Sequence, residues 1–401
     1  MASISETQRA CRRIPFTPAS RRRAREAIFT FDDMTWAAAQ ARGMCFPQDR
    51  LALALLEDPA IEKVLICDRP RSAVVKLAKD VIERPLKFKS SVRERLWQPL
   101  RLRRQDPTSI AGIEAEYERY DRRLQRVAAR FGMERPAIVT AQPLLAGFAP
   151  LAWAGPVTLY ATDDLSAHRD YRPWQRGLEE AYRRVGSSGH RVCAVSAKLL
   201  DRIEPIGPAA VVPNGVDPEL WLSPDLPPRW FTALAAPRLL YVGTLDSRLD
   251  VEGLVSVARA MPGGSVVLVG PVAEEEPLRP ILAEPNVHLH EPVSRGGVAA
   301  LAHAADVCLL VHRCTPLTEA MSPLKLFEYL ASGTPTVATD LEPVRGVQAP
   351  VVRVAPGGDF VAGVRAALAR GRLSEPERRS RIEVDSWASR TATVMDLALS
   401  L

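Results

Sequence analysis

The chain of 401 residues is long enough for two domains, each able to bury a core of its own. Apolar residues make up 47% and charged residues 25%, a balance that excludes a fully disordered chain, a collagen and a disulfide-stapled miniprotein. The net charge of +6 is uneven, because residues 1–228 carry 36 Lys and Arg against 28 Asp and Glu, whereas residues 229–401 carry 17 against 19. The basic excess therefore belongs to the first half.

The first half is predicted to alternate strands and helices after a basic tail. Residues 1–25 are rich in Arg and contain no apolar core, so we expect no secretory signal. The uncharged run 138–162 is as long as a membrane span, but three prolines interrupt it, and we predict a strand, a buried turn and a second strand. Strands are predicted at 27–31, 63–68, 137–141, 157–162 and 191–196, and helices at 50–58, 114–131 and 175–185.

The segment 84–104 concentrates the basic charge. It holds eight Lys and Arg and one acid, Glu94, with apolar residues between the charges. Two interpretations stay open, namely peripheral contact with an anionic membrane surface and a solvated face of helix and loop. The sequence contains no aromatic-rich strand, helix-turn-helix or zinc finger, so we expect no nucleic-acid partner.

The second half repeats the alternation more clearly. Strands are predicted at 238–244, 265–270, 286–292, 306–312, 334–339 and 351–355, and helices at 251–261, 298–305, 323–333 and 359–371. Gly333 is a suitable helix end. Between the halves, residues 211–230 contain five prolines and an Asn-Gly pair, which is typical of a linker.

These patterns predict an α/β protein with two Rossmann-like, doubly wound domains that face a central cleft. Continuous apolar strands alternating with helices indicate parallel sheets covered on both faces. After the tail at 1–25, we expect a first domain at 26–228 and a second at 229–401, whose last helix is free to pack back on the first. Ligands of such domains bind where the carboxyl ends of the strands meet.

The cysteines predict a cytoplasmic chain with reduced thiols, because the six of them form neither a CxxC pair nor a zinc-finger spacing. Cys308, His312 and Cys314 lie close in sequence, but Cys308 belongs to an apolar strand-like run and no fourth ligand is apparent. We therefore expect no metal site. No dinucleotide fingerprint, P-loop or Asp-x-Asp motif is present either.

The segment 319–340 is the strongest candidate for a binding site. Ser322 as N-cap and Pro323 at the first helical position predict a helix start, where free N–H groups can hold a phosphate. Lys325 in the first turn is unfavourable unless an anion compensates it. Glu328 follows one turn later on the same face and is suited to a ribose diol. The alternative is an ordinary amphipathic helix with an exposed Lys–Glu pair.

This segment, together with VVPNGVD at 211–217 and LLYVGTL at 239–245, resembles GT-B glycosyltransferases. The similarity is greatest to bacterial enzymes of families 4 and 1, in a subgroup related to teichuronic-acid and exopolysaccharide transferases. Residues 34–56, 136–148 and 159–171 resemble the acceptor domain of that subgroup, so the resemblance extends over nearly the whole chain.

The resemblance implies a hexosyltransferase-type enzyme, in class EC 2.4. It would move a sugar from a nucleotide-diphosphate sugar, held by the second domain, to a glycan, lipid-linked or small-molecule acceptor held by the first. The nucleotide sugar is a co-substrate, and neither a metal nor another cofactor is expected. By resemblance, the nucleotide-sugar-binding residues are Gly243, Thr244, Arg248, Ser322, Pro323, Lys325 and Glu328.

One departure from the family leaves the stereochemical course open. Family 4 enzymes carry Glu-x7-Glu ending at the position of Glu328, whereas Ala320 occupies the first position here. Glu319 is one residue out of register, about 100° around a helix. An inverting route is therefore at least as plausible as a retaining one.

An inverting route needs a general base on the acceptor domain. Asp163 and Asp164 directly follow a predicted strand and are the catalytic candidates, unless they form a helix cap. His168 is a lesser candidate, and Asp32 and Asp33 after the first strand are held in reserve.

Three other functions stay open at this point. They are a GT-B-like nucleotide-sugar epimerase, a non-catalytic sugar-nucleotide-binding relative and, from another class, a basic membrane-surface adaptor. For the transferase we expect a cytoplasmic location, peripheral at the inner face of the plasma membrane.

Overall fold

The computed structural model describes residues 22–72, 88, 90–101, 105–347 and 350–401. These residues form two compact units, and the boundary between them falls after Pro213. The first unit also includes Thr391–Leu401 at the end of the chain, and the second unit is Asn214–Arg390.

The first unit contains a seven-stranded parallel sheet in the order β4-β2-β1-β6-β7-β8-β9. Its strands are β1 (Glu26–Thr30), β2 (Lys63–Cys67), β4 (Glu94–Trp97), β6 (Ala137–Thr140), β7 (Val157–Ala161), β8 (Arg191–Ala194) and β9 (Ala209–Val211), and β3 (Arg71–Ser72) pairs separately with β5 (Leu100–Arg101). The order reverses between β1 and β6, which is the position where doubly wound sheets bind ligands.

The second unit contains a six-stranded parallel sheet in the order β12-β11-β10-β13-β14-β15. Its strands are β10 (Arg238–Val242), β11 (Ser265–Val269), β12 (Val287–His290), β13 (Val307–Leu310), β14 (Thr336–Thr339) and β15 (Val351–Val354). This is the Rossmann strand order, and its reversal lies between β10 and β13.

Helices cover both sheets. In the first unit they are α1 (Trp36–Ala41), α2 (Pro47–Glu57), α3 (Ile110–Arg130), α4 (Pro143–Phe148), α5 (Gln175–Ser188) and α6 (Ala197–Ile203). In the second they are α7 (Pro218–Leu222), α8 (Arg229–Thr232), α9 (Val251–Ala260), α10 (Arg279–Leu282), α11 (Arg295–Ala304), α12 (Pro316–Ala320), α13 (Leu324–Ser332), α14 (Glu342–Arg345), α15 (Phe360–Arg370) and α16 (Glu375–Val384). The last helix, α17 (Trp387–Leu399), contributes Val394, Leu397 and Leu399 to the core of the first unit.

The strands alternate their side chains between two cores. In β1, Phe29 packs into one core and Ile28 into the other, and both are fully buried. All five residues of β11 are buried, as expected for a strand covered on both faces. The predicted parallel α/β architecture is therefore confirmed, and α13 ends at Gly333, which adopts the left-handed conformation with φ +71°.

The interpretation of residues 211–230 as a linker is wrong. The second unit begins at Asn214, so the boundary lies before the predicted position at 228. Trp221 in α7 is only 1% exposed, and Arg378 donates a hydrogen bond to its carbonyl oxygen at 2.6 Å. Proline and turn residues predicted a loop, but the burial of one large aromatic ring ties this segment to the second core.

The basic segment 84–104 lies partly outside the described residues. Its described part contains β4, which pairs with β2 and forms the edge of the first sheet. Leu96 and Trp97 pack against opposite cores, and Arg93 donates to the carbonyl oxygens of Asp58 and Ile61. Leu96 and Trp97 are thus part of the sheet, which the expectation of a helix-and-loop face did not anticipate.

Candidate functional site

The carboxyl end of β10 meets the start of α13 in the second unit. Gly243 follows β10 with φ +142°, a conformation that residues with a side chain rarely adopt. A Cβ at this position would lie 2.5 Å from Nζ of Lys325, so a side chain here would displace the end of the lysine. The structure therefore brings together two residues that the sequence singled out separately, at the point where the strand order reverses.

Lys325 belongs to a chain of polar groups beneath this strand end. Its Nζ donates to the Tyr241 hydroxyl at 2.7 Å and lies 4.1 Å from the centroid of the same ring. The Tyr241 hydroxyl lies 3.4 Å from Nε2 of His312, which follows β13. Burial, together with the positive charge of Arg248, lowers the pKa of Lys325 to about 7. A cation in this environment is stabilised by an anionic ligand.

The start of α13 differs from the prediction. Pro323, and not Ser322, is the N-cap, and no side chain caps the first turn. The Ser322 hydroxyl instead accepts a hydrogen bond from the backbone N–H of Asn214 at 3.0 Å, and the Asn214 side chain donates to the Ser322 carbonyl oxygen. Because Ser322 is bonded to Asn214, no side chain caps the N–H groups of Leu324 and Lys325, whereas the Leu326 N–H donates to the Pro323 carbonyl oxygen at 3.0 Å.

Arg248 lies in the same site but has an acidic partner. Its guanidinium donates to both carboxylate oxygens of Asp246, at 2.7 to 3.0 Å. Burial opposes ionisation of Asp246, but these hydrogen bonds and the charges of Arg248 and Lys325 lower its pKa. The Thr244 carbonyl oxygen accepts from the Tyr241 hydroxyl at 3.3 Å, so this hydroxyl bonds both to the strand end and to Lys325.

Glu328 lies one turn further along α13 and is half-buried. Burial raises the pKa of this carboxyl, and the positive charges of Arg295 and Lys325 oppose that shift. The carboxylate is therefore close enough to Lys325 for the two charges to interact. Such a group can accept hydrogen bonds from a ligand diol.

Glu319 does not lie on the same helix as Glu328. It belongs to α12, which ends at Ala320, and Met321–Pro323 separate the two helices. The Cys314 thiol donates to the Glu319 carboxylate at 3.4 Å. The expected offset of about 100° around one helix is therefore wrong, since the chain breaks between the two positions.

The aspartates after β7 have different surroundings. Asp164 is buried, and its Oδ1 accepts from the Ser166 N–H at 3.0 Å and from the Ser166 hydroxyl at 2.6 Å. This geometry is typical of a turn that the aspartate stabilises. Asp163 is half-buried, and its carbonyl oxygen accepts from the Tyr182 hydroxyl. Its role as a base stays a prediction.

The reserve pair Asp32 and Asp33 has a geometry that suits a general base better than that of Asp163 and Asp164. Both follow β1, and Gln142 after β6 donates to the Asp32 carbonyl oxygen at 3.1 Å across the strand reversal. The Tyr171 hydroxyl donates to Oδ2 of Asp33, and the Gln48 side chain donates to Oδ2 of Asp32. The sequence singled out both aspartates, but no local pattern indicated that Tyr171 contacts Asp33.

The two carboxyls have pKa values shifted in opposite directions. Burial first, and then the charge of Asp33, raise the pKa of Asp32 to about 7. Burial also disfavours the Asp33 anion, but hydrogen bonds from Asp32 and Tyr171 and the charge of Arg69 lower its pKa. Asp33 is therefore the ionised partner near neutral pH, which is what a general base requires. His168 instead caps the turn Arg169–Trp174, its Nδ1 accepting from the Asp170 N–H.

Two further findings concern the described part of the chain alone. It contains no group of three His, Cys, Asp or Glu side chains placed to hold a metal ion. None of its helices is long and apolar enough to cross a membrane.

Comparison with known proteins finds similar chains among glycosyltransferases. Residues 236–370 match the family described as "Glycosyl transferases group 1". Over 155 residues the chain is 28% identical to TuaH of Bacillus subtilis strain 168, whose name is that of a teichuronic acid biosynthesis glycosyltransferase. That match covers 37% of this chain and 39% of TuaH, so the chain spans about two-fifths of this relative.

Solved structures are similar over most of the chain. Sucrose-phosphate synthase of Thermosynechococcus elongatus has a TM-score of 0.64 at 17% identity, over 92% of this chain and 97% of that one. HepE of Anabaena, solved in complex with UDP and glucose, has a TM-score of 0.54 at 15% identity, over 94% of this chain and 96% of that one. These likenesses concern the fold, and with the family match they confirm the resemblance found in the sequence.

Proposed function

We propose that this chain, which has the GT-B fold and a glycosyl transferases group 1 domain at residues 236–370, is a glycosyltransferase that moves a sugar from a nucleotide-diphosphate sugar to an acceptor hydroxyl. The observation that carries the proposal is Lys325, which lies against Gly243 at the strand reversal beside an uncapped helix start. We further propose that the transferred sugar is a hexose.

The second unit would hold the donor through charge and backbone. The diphosphate would approach the strand end at Gly243 and Thr244, where Lys325 and the first N–H groups of α13 neutralise it. Arg248 adds positive charge nearby, and Glu328 would accept hydrogen bonds from the ribose diol. Because these groups supply the positive charge that a phosphate leaving group needs, we propose that the transfer proceeds without a metal ion.

The first unit would supply the base. We propose that the Asp33 carboxylate accepts the proton of the acceptor hydroxyl as that oxygen attacks the sugar carbon, and Asp163 remains the alternative. Tyr171 holds the Asp33 oxygen by its hydroxyl, which orients the carboxylate. This arrangement suits an inverting displacement, in which one carboxylate is sufficient.

A thermal-shift panel of nucleotide diphosphates and nucleotide sugars tests the donor side, since a ligand that binds only the folded state raises the unfolding temperature. We expect diphosphates to stabilise the protein and free sugars to have no effect. Absence of stabilisation by every diphosphate would contradict the proposal. Release of free nucleotide without an acceptor would favour an epimerase, and binding without turnover on any acceptor would favour a non-catalytic relative.

The affinity for the nucleotide sugar should fall as pH rises above 7. A bound diphosphate raises the pKa of Lys325 from its value of about 7 in the free protein, so binding above pH 7 must include uptake of a proton. Below that pH the lysine is already charged and the affinity should be flat. Calorimetry from pH 6 to 8.5 should show a loss on the order of tenfold, and the Lys325→Arg variant, which stays charged, should not show it. A pH-independent parent protein would disprove this role of Lys325.

We also propose that the basic segment 84–104 makes peripheral contact with the inner face of the plasma membrane. Because Leu96 and Trp97 pack inside the first unit, the attraction would be electrostatic. Vesicles containing anionic lipid should sediment the protein and release it in high salt, and neutral vesicles should not. Equal, salt-insensitive sedimentation with both vesicle types would contradict this contact and show that the segment is only a solvated face.

A further inference from the structure

A pocket with a cavity volume of about 80 Å³ and an open mouth lies in the first unit beside Asp33. Its walls come from α3, α4, α5 and the loops that follow β1, β2 and β7. The position next to the reversal between β1 and β6 is where doubly wound sheets bind ligands. The donor site is in the other unit, so this pocket is free for a different ligand.

The walls of the pocket are mainly apolar. Ile113, Leu144, Leu165 and Leu178 belong to one buried cluster, and the rings of Tyr171 and Trp174 pack against it. Flat aromatic surfaces and branched aliphatic side chains favour a ligand with rings of its own. They offer little to a ligand that is hydroxylated on every face.

Most polar groups on the walls already have partners in the chain. Gln142 accepts from the Leu144 N–H at 3.2 Å and donates to the Asp32 carbonyl oxygen. Trp174 donates to the Pro107 carbonyl oxygen at 3.0 Å, and Arg119 donates to Glu116 at 2.7 Å. A sugar ring would bury several hydroxyls here and find few open partners, which is unfavourable.

Two of the charged side chains that line the pocket, Asp33 and Arg69, interact with each other. Asp33 is the ionised carboxylate held by Tyr171. Arg69 is close enough for its charge to act on both Asp33 and Tyr171, and its Nε is buried without a hydrogen-bond partner among the described residues. A buried donor of this kind is costly unless a ligand oxygen accepts its hydrogen bond.

We infer that the acceptor of this transferase is a ring-containing, mainly apolar molecule that directs a hydroxyl at Asp33 and a second oxygen at Arg69. This inference rests on the proposed function and names its acceptor class. It distinguishes a small aglycone from a glycan, because the apolar walls bind the ring system while the two charged groups select the hydroxyl to be glycosylated.

Binding of aromatic probes to the full-length protein, measured by calorimetry without donor, tests the inference. The panel comprises 7-hydroxyflavone, which carries a hydroxyl and a carbonyl oxygen, 2-naphthol, 7-methoxyflavone and methyl glucoside. We expect the two hydroxylated probes to bind, and 7-methoxyflavone to bind at least about tenfold more weakly, since it cannot donate to Asp33. Methyl glucoside should not bind. Binding of the glucoside alone, or of no aromatic probe, would overturn the inference.

Matched arginine variants locate the site. Arg69→Gln should weaken 7-hydroxyflavone binding at least about tenfold, whereas Arg71→Gln, two residues further along and not on the pocket wall, should leave it unchanged. Equal affinities in both variants would place the probe elsewhere. Nucleotide-sugar stabilisation of each variant controls for folding. If the parent binds nucleotide sugars but no aromatic probe, the acceptor class is wrong and the transferase proposal stands. If it binds no nucleotide, the transferase proposal itself fails.

Discussion

Replacement of Asp33 by Asn is expected to lower turnover by about 10²–10⁴-fold and to leave the affinity for the nucleotide sugar unchanged. The amide keeps the size of the carboxylate, and its oxygen can still accept the hydrogen bond of Tyr171. It cannot accept a proton from the acceptor, and the exchange also removes the negative charge beside Arg69. Rates at saturating nucleotide sugar and calorimetry of donor binding separate the effect on turnover from any effect on donor affinity.

Three further Asp→Asn variants are the controls for this result. Asp170, with an exposed side chain, should be replaceable without loss, and Asp164, which is occupied by Ser166, should have little effect on turnover. Full activity of Asp33→Asn with loss in Asp163→Asn would return the role of base to Asp163. Proton NMR of the product gives the anomeric configuration, and a retained configuration would be incompatible with any of these residues acting as a simple base.

Removal of the Glu328 side chain in Glu328→Ala should weaken binding of the nucleotide sugar by about 10- to 100-fold. Hydrogen bonds from a neutral diol to a carboxylate contribute about 1.5–3 kcal/mol, and the change leaves the diol without its partner. The fold should survive, since Glu328 is only half-buried and burial already works against its ionised form.

Glu252→Ala is the matched control, because Glu252 is exposed near the start of α9. Calorimetry should give the parent dissociation constant for this variant and a raised one for Glu328→Ala. Equal dissociation constants in all three proteins would show that Glu328 does not contact the ribose. A loss of thermal stability in Glu328→Ala alone would instead indicate that the carboxyl serves packing within the second unit.

The proximity of the candidate donor-site residues was largely predictable from local patterns. A proline at a helix start, a lysine in the first turn and a glutamate one turn later are separated by few residues, so their proximity follows from helix geometry. The role of Ser322 was not predictable, because its partner Asn214 is 108 residues away. Local propensity favoured a serine cap, and a distant hydrogen bond replaced it.

The acceptor side was predicted less well. The two pairs of adjacent aspartates, one after β1 and one after β7, look alike in the sequence. Only their surroundings in the structure distinguish them. Asp164 turns back to Ser166, whereas Asp33 receives the hydroxyl of Tyr171 from 138 residues along the chain. Burial and the choice of partner decide which carboxyl is ionised, and neither is visible in a strand-end pattern.

By itself, the sequence determined two parallel α/β units and the order of their strands and helices along the chain, and it singled out the segment 319–340 as the candidate phosphate site. Apolar runs that alternate with amphipathic helices are local properties, and they suffice for that much. Only the tertiary structure decided that Gly243 admits Lys325, that Trp221 ties the presumed linker to the second core, and that Arg69 and Tyr171 meet at Asp33. Strand order sets these meetings, since parallel strands far apart in the chain bring their carboxyl ends to one edge of a sheet.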